Sequence, residues 1–269
     1  MASSWKIQCF AQPFLSKEET QNIINTASDR VKEFEDEFSV FKNSPFNQIN
    51  KDAGLRETKI SHQCLKLLEQ SLYYYKETQG VFNIAFRSDP GFEDLNDIVI
   101  NKEKETVFLP HKEMKLSLGG IGKGAAVDLT YEFLKSKGLI NFIVNGAGDI
   151  RVHSHENAPR KWKIGIKNPF NPELSIGHIE LSNESIATSG EYIKENHIKS
   201  SASNRPISVT VISDSVTKSD VWATYLCSLN TEKAIKEAND KNIFSILIND
   251  QGKVFHSKRS IKAATRKRQ

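Results

Sequence analysis

Cysteine, methionine and proline are scarce in this chain of 269 residues, at three, two and eight copies. Three thiols (Cys9, Cys64, Cys227), odd in number and widely scattered, exclude a disulfide framework; they read as reduced, mostly buried side chains in a reducing compartment. No window approaches the roughly 18 uninterrupted apolar residues of a spanning helix, so no membrane insertion is expected. The opening Met-Ala-Ser-Ser-Trp-Lys-Ile has no charged segment followed by an apolar run; no secretory signal is read there, and a cytoplasmic location is expected. Serine-hydrolase, zinc and dithiol chemistry lack support, because no Ser/His/Asp order, HExxH or CxxC pattern occurs. Internal repeats, low-complexity blocks and long Pro/Gly/Ser linkers are also missing.

What is there is an ordinary globular composition. The 38% hydrophobic and 26% charged residues exclude collagen-like, disordered and membrane-embedded chains. The length suits one large domain or two small lobes and buries a real core without metal or disulfide staples. The net charge of +4 is unevenly placed: residues 257–269 hold six basic side chains (Lys258, Arg259, Lys262, Arg266, Lys267, Arg268) and no acidic one. Taking those six from the 37 Lys and Arg leaves 31 against 33 Asp and Glu, so the rest of the chain is slightly acidic. Nucleic-acid proteins spread basic charge over a face and interleave aromatics; no nucleic-acid partner is expected here. Residues 1–256 are read as one domain and 257–269 as a flexible basic tail, with weak polyanion contact as the tail's other reading.

Residues 5–10 alternate as a strand. Residues 16–38 open with Ser16 and Glu19 in capping-box spacing and carry Ile23, Ile24, Ala27, Val31 and Phe34 at helical spacing. Residues 60–79 form a second amphipathic helix with Leu65, Leu67, Leu68 and Leu72 as its stripe. A helix is expected from Gly122 to Lys137, stopped by Gly138, followed by a strand at 141–144 and a turn at 145–149. Further strands are expected at 98–101, 106–109, 162–166, 175–181, 208–212, 243–248 and 254–255, with helices at 220–229 and 231–240. Helices and strands mix without βαβ alternation, which indicates an α+β fold of mixed, largely antiparallel sheets with packed helices.

The densest chemical signal is Leu116-Ser-Leu-Gly-Gly-Ile-Gly-Lys-Gly-Ala-Ala-Val-Asp128. Glycines at 119, 120, 122 and 124 permit positive φ and close approach to a ligand. Free amides and the dipole at a helix start favour an anion, and Lys123 adds a full charge, so phosphate or diphosphate is the natural guest. A Walker loop is excluded, with Ser117 at its first glycine position and Gly124 at its hydroxyl position; a dinucleotide fingerprint is excluded by the spacing of Gly120, Gly122 and Gly124. The same residues also suit a tight strand-to-helix turn with an exposed lysine.

A second signal is Asp220 at an expected helix start with Thr224 one turn on, an oxygen pair on one face that suits Mg²⁺. Asp220 alone also fits an ordinary first-turn acid. The third is Ile186-Ala-Thr-Ser-Gly-Glu-Tyr192, read as a hydroxyl-rich turn of small residues, followed by His197. Such turns also occur as plain loops.

In order, these segments resemble the ApbE family of FAD:protein FMN transferases. Leu118–Asp128 is similar to its Leu-Gly-Gly-Ile-Ala-Lys-Gly-Tyr-Ala-Val-Asp block, Asn145–Ile150 to its Gly-Gly-Asp-Ile turn, and Ala187–Tyr192 to its Thr-Ser-Gly-x-Tyr segment. Val209–Ser215 followed by Ser219–Thr224 resembles its closing element, Thr78–Asn83 its Thr-x-Gly-x-Phe-Asp stretch, and the first residues its Met-Gly-Thr. The resemblance implies an ApbE-like, T-fold-like, two-lobed architecture and a Mg²⁺-dependent enzyme. It would cleave the FAD diphosphate, attach FMN through a phosphoester to Ser or Thr of an acceptor flavoprotein, and release AMP.

Carried over, Asp220, Thr224 and the Gly120 carbonyl would hold the metal. Lys123, Ser117, Gly119, Gly120, Thr188, Ser189, Gly190 and Lys199 would line the FAD site, with Phe41 and Met1 as flavin contacts. His197, Lys123 and Asp220 would be catalytic. Ser117 departs from the family's Asp, and His197–Pro206 loses its Asp-Pro and Thr-Gly. Those departures leave a non-catalytic FAD-binding protein or a Mg²⁺-dependent FAD pyrophosphatase as alternatives.

Overall fold

The computed structural model describes residues 5–10, 12–157, 159–190 and 204–259. In chain order the first elements are β1 (Trp5–Cys9), α1 (Lys17–Phe38), α2 (Pro45–Lys51), β2 (Thr58–Lys59), α3 (His62–Glu77), β3 (Val99–Asn101), β4 (Thr106–Phe108) and α4 (Gly122–Ser136). They are followed by β5 (Phe142–Gly146), β6 (Asp149–His153), β7 (Trp162–Asn168), β8 (Asn171–Leu181), β9 (Ser185–Gly190) and β10 (Ser208–Ser213). The last are α5 (Val216–Ser228), α6 (Thr231–Asp240), β11 (Phe244–Ile248) and β12 (Val254–His256). The chain divides into two compact units, one of residues 28–122 and one of residues 2–27 together with 123 onward.

In the first unit, α3 starts at the Ser61 cap, whose hydroxyl accepts from the Cys64 N–H at 2.9 Å. Its buried face is Cys64, Leu65, Leu67, Leu68, Ser71 and Tyr74. Helix α2, which residue periodicity did not disclose, is a short turn set by the Ser44 cap and Pro45 at its first position. β2, β4 and β3 form a small antiparallel sheet in that spatial order.

The second unit is built on a seven-stranded sheet in the order β1-β5-β6-β9-β10-β11-β12, antiparallel at every pair. The expected capping box is present: the Ser16 N–H donates to Glu19 at 2.8 Å and the Glu19 N–H to Ser16 Oγ at 3.1 Å. Helix α4 ends where expected, with Gly138 at φ 80°. It packs Val127, Tyr131 and Leu134 against Phe142, Val144 and Ala187. β7 and β8 pair with each other as a separate hairpin.

Three local expectations change. Residues 185–190 are a strand, not a turn: β9 lies between β6 and β10 and pairs Ala187 with Val211 and Thr188 with Thr210. Ala187 is in the core with Val216, so a small residue there serves helix-on-sheet packing. Helix α5 begins a turn before Asp220, at Val216, because Ser215 supplies the cap and accepts from the Lys218 N–H. The described chain also stays packed past His256. Ser257 is buried, its N–H donates to Ser245 O, and its hydroxyl accepts from the Ser245 N–H.

Candidate functional site

Three elements of the second unit converge on Lys123. It sits in the first turn of α4, where the helix leaves amides without internal partners. Its ammonium contacts a carboxylate oxygen of Asp149 and lies 3.7 Å from Asp220 Oδ1. The next residue completes the link, the Gly124 N–H donating to Asp220 Oδ2 at 3.3 Å. The signals at 122–124 and at 220, a hundred residues apart, therefore meet.

Gly124 has a more local reason than ligand access. A Cβ there would come within 2.8 Å of the Thr217 Cα and N and of the Val216 carbonyl oxygen, so only glycine lets the starts of α4 and α5 approach so closely. Gly122 and Gly124 are both helical, and the positive φ expected of them is not adopted.

Asp149 was not among the sequence-predicted site residues. It is the first residue of β6, placed by the two-residue turn Ala147-Gly148, both at positive φ (58° and 100°). That turn was legible as a turn, but nothing local says that its far end faces α4. Burial, with the charge of Asp220 added, pushes the Asp149 carboxyl up to about 7 against the pull of Lys123 and of the Thr188 backbone N–H. Burial alone would lower the Lys123 pKa; Asp220 and Asp149 outweigh it and hold the ammonium above its ordinary value. The Lys123 side chain keeps 27% exposure while both carboxylates that its ammonium meets are almost fully buried.

Hydroxyls extend the site. Thr224, one turn after Asp220, lies 3.2 Å from the Ser189 hydroxyl, and Thr188 hydrogen-bonds Thr210 at 2.9 Å. Gly190 ends β9 opposite Ser208. Two carboxylates against one ammonium leave an excess negative charge if both are ionised. Asp220 and Thr224 carry oxygen donors only, the donor type that a hard divalent cation such as Mg²⁺ prefers, while Asp149 is engaged by the Lys123 ammonium.

The remaining candidates belong to the first unit or lie outside the description. Ser117 is buried, its N–H donating to Ile84 O at 2.7 Å. Gly119 and Gly120 occupy a tight turn in which Leu118 O accepts from the Ile121 and Gly122 N–H groups. Phe41 is 82% exposed, with the Arg87 guanidinium 5.4 Å from its ring centre. Met1, His197 and Lys199 lie outside the described residues.

Residues 1–89 and 90–247 match the profile of the ApbE family. Among curated proteins, a FAD:protein FMN transferase of Vibrio cholerae is 26% identical over 292 residues, spanning 94% of this chain and 86% of that one. Among solved structures, the flavin transferase ApbE from Vibrio cholerae superposes with a TM-score of 0.77 at 20% identity, covering 96% of this chain and 95% of the other. The ApbE protein of Thermotoga maritima gives 0.81 at 17% identity, covering 97% and 95%. Both structural likenesses are of fold.

Proposed function

The chain belongs to the ApbE family, and we propose that it is a transferase moving the FMN half of FAD onto a protein, with Mg²⁺, through a phosphoester to Ser or Thr. In this reaction the acceptor hydroxyl oxygen bonds to the FMN phosphorus, the bridging P–O bond breaks, and AMP leaves. One observation carries the reading: a partly exposed lysine at a helix start, seated on two buried carboxylates drawn from distant parts of the chain. Phosphoryl transfer asks mainly for positioning and for charge stabilisation, and this arrangement offers both.

Lys123 would neutralise diphosphate oxygens while Asp149 holds its ammonium in place. Asp220 and Thr224 would hold Mg²⁺, to which the family resemblance adds the Gly120 carbonyl. The bound ion would supply Lewis-acid stabilisation of phosphoryl charge, worth several kcal/mol in such sites. Ser117, Gly119, Thr188, Ser189, Gly190, Lys199, Phe41 and Met1 are proposed FAD contacts, and His197 is proposed to take the acceptor's proton. A cytoplasmic location is part of the same proposal.

The test is incubation with FAD, Mg²⁺ and a candidate acceptor protein. The expected products are AMP and an acceptor heavier by one FMN unit. FMN and AMP formed without acceptor would mark a pyrophosphatase. FAD retained intact, with the acceptor unmodified, would mark a binding protein, the reading that Ser117 in place of the family's Asp favours.

A further inference from the structure

Each of the three charges at the site rides on a different element: Lys123 on α4, Asp149 on β6 and Asp220 on α5. A fourth charged group, Asp128, lies on α4 itself and is bonded to the other two elements. Its Oδ2 accepts the Thr217 N–H at 2.8 Å and the Thr217 hydroxyl at 2.7 Å. Its Oδ1 accepts the Val216 N–H at 3.0 Å and Arg151 Nη1 at 2.8 Å. Val216 and Thr217 are the first two residues of α5, four and three positions before Asp220. Arg151 is two residues after Asp149, hence on the same face of β6.

Capping alone does not account for this. Ser215 already caps α5, and the Arg151 contact satisfies no helix amide. Asp128 and Arg151 are both about 15% exposed, a largely buried ion pair. Such pairs contribute little net stability, and their best-attested use is to fix register. The Arg151 guanidinium carbon also lies 3.8 Å from the centre of the Tyr131 ring, and Nη1 pairs with Glu132 at 3.1 Å, so α4 holds Arg151 through three residues.

We propose that Asp128 is a positioning residue that sets the spacing of Lys123, Asp149 and Asp220 by locking the start of α5 and strand β6 onto α4. The kinetic part of this inference rests on the transferase reading; the structural part does not. The experiment compares wild type, D128N and R151M at about 15 °C below each melting temperature. Amide hydrogen exchange is read over 122–126, 149–153 and 216–220, with α6 as internal reference, alongside FMN transfer.

The expected result is exchange at least about tenfold faster over 122–126 and 216–220 in D128N, and at least about tenfold faster over 149–153 in R151M, with α6 unchanged in both. Transfer falls about 100-fold in D128N, the loss that about 1 Å of misplacement causes, and less in R151M, which releases only the β6 arm. Transfer within about threefold of wild type in both folded variants overturns the proposal, as does exchange that rises equally in α6. If D128N does not fold, R151M decides by the same two readouts. If wild type transfers no FMN, the functional reading fails, and the exchange pattern alone decides for or against Asp128.

Discussion

At the residue scale, the site is a contest between burial and charge, and Asp149 records it. Unfolded, its carboxyl titrates near the ordinary value of about 3.9; folded, it is pushed up to about 7. Between those values the folded state holds a proton that the unfolded state has lost. Its contribution to stability is therefore greatest below about pH 4, falls as pH rises to about 7, and is level above. Urea denaturation across that range should show wild type losing on the order of a few kcal/mol relative to D149N. A gap that stays constant with pH, or that moves in wild type's favour, contradicts the assignment.

The cysteines give a second residue-scale prediction. Burial, with the Glu37 charge nearby, pushes the Cys64 thiol up to about 12, and Cys227 is buried with its thiol donating to Pro206 O. Iodoacetamide at about pH 8 should label Cys9, which is part-exposed, at least about 100-fold faster than either, as read by peptide mass spectrometry, because only thiolate reacts. Lys123, Asp220 and Thr224 were legible because a charge beside glycines and an i,i+4 oxygen pair are local patterns. Asp149 and Asp128 were not, since a turn-flanking or helical aspartate gains meaning only from what packs across it.

At the scale of elements, caps and stops were readable where the chemistry is local: Ser16 with Glu19, Gly138, and the turn at Ala147-Gly148. β9 was not readable, because small residues and hydroxyls resemble a loop until β6, β10 and α5 bury them. Gly124 belongs to this scale too. Gly124→Ala inserts a methyl 2.8 Å from the α5 backbone, which has no flexible side-chain end to yield. It should cost about 1–3 kcal/mol in urea unfolding and lower FMN transfer by moving α5 with Asp220. Gly177→Ala on β8 meets nothing within 4 Å and should stay within about 0.5 kcal/mol of wild type. Equal effects at both glycines would show that close approach is not what Gly124 provides.

At the scale of the whole molecule, the α+β class with antiparallel sheets was legible from frequent turns and the absence of βαβ alternation. The strand order was not. Pairing β1 with β5, or placing β9 beside β6, depends on long-range burial that no window of sequence contains. The end of the body illustrates the same limit. Composition alone sets a boundary at 256, where basic residues begin, yet Ser257 is buried and its hydroxyl takes the Ser245 N–H at 3.0 Å. Lys258 N–H donates to Asn239 Oδ1 at 2.7 Å, and Arg259 Nη1 donates to Asn242 O at 2.9 Å. Ending the chain at 259 spares all of these bonds; ending it at 256 strands a buried Ser245 amide, a loss of about 1–3 kcal/mol. The 1–259 chain should melt within about 2 °C of full length, and the 1–256 chain about 3–8 °C lower, by calorimetry. Charge separates the two effects. Removing 260–269 deletes Lys262, Arg266, Lys267 and Arg268 and brings the formal net charge from +4 to 0, so retention on heparin should drop in both truncations while thermal stability drops in only one. Loss of stability at 259 would move the end of the folded body further along the chain.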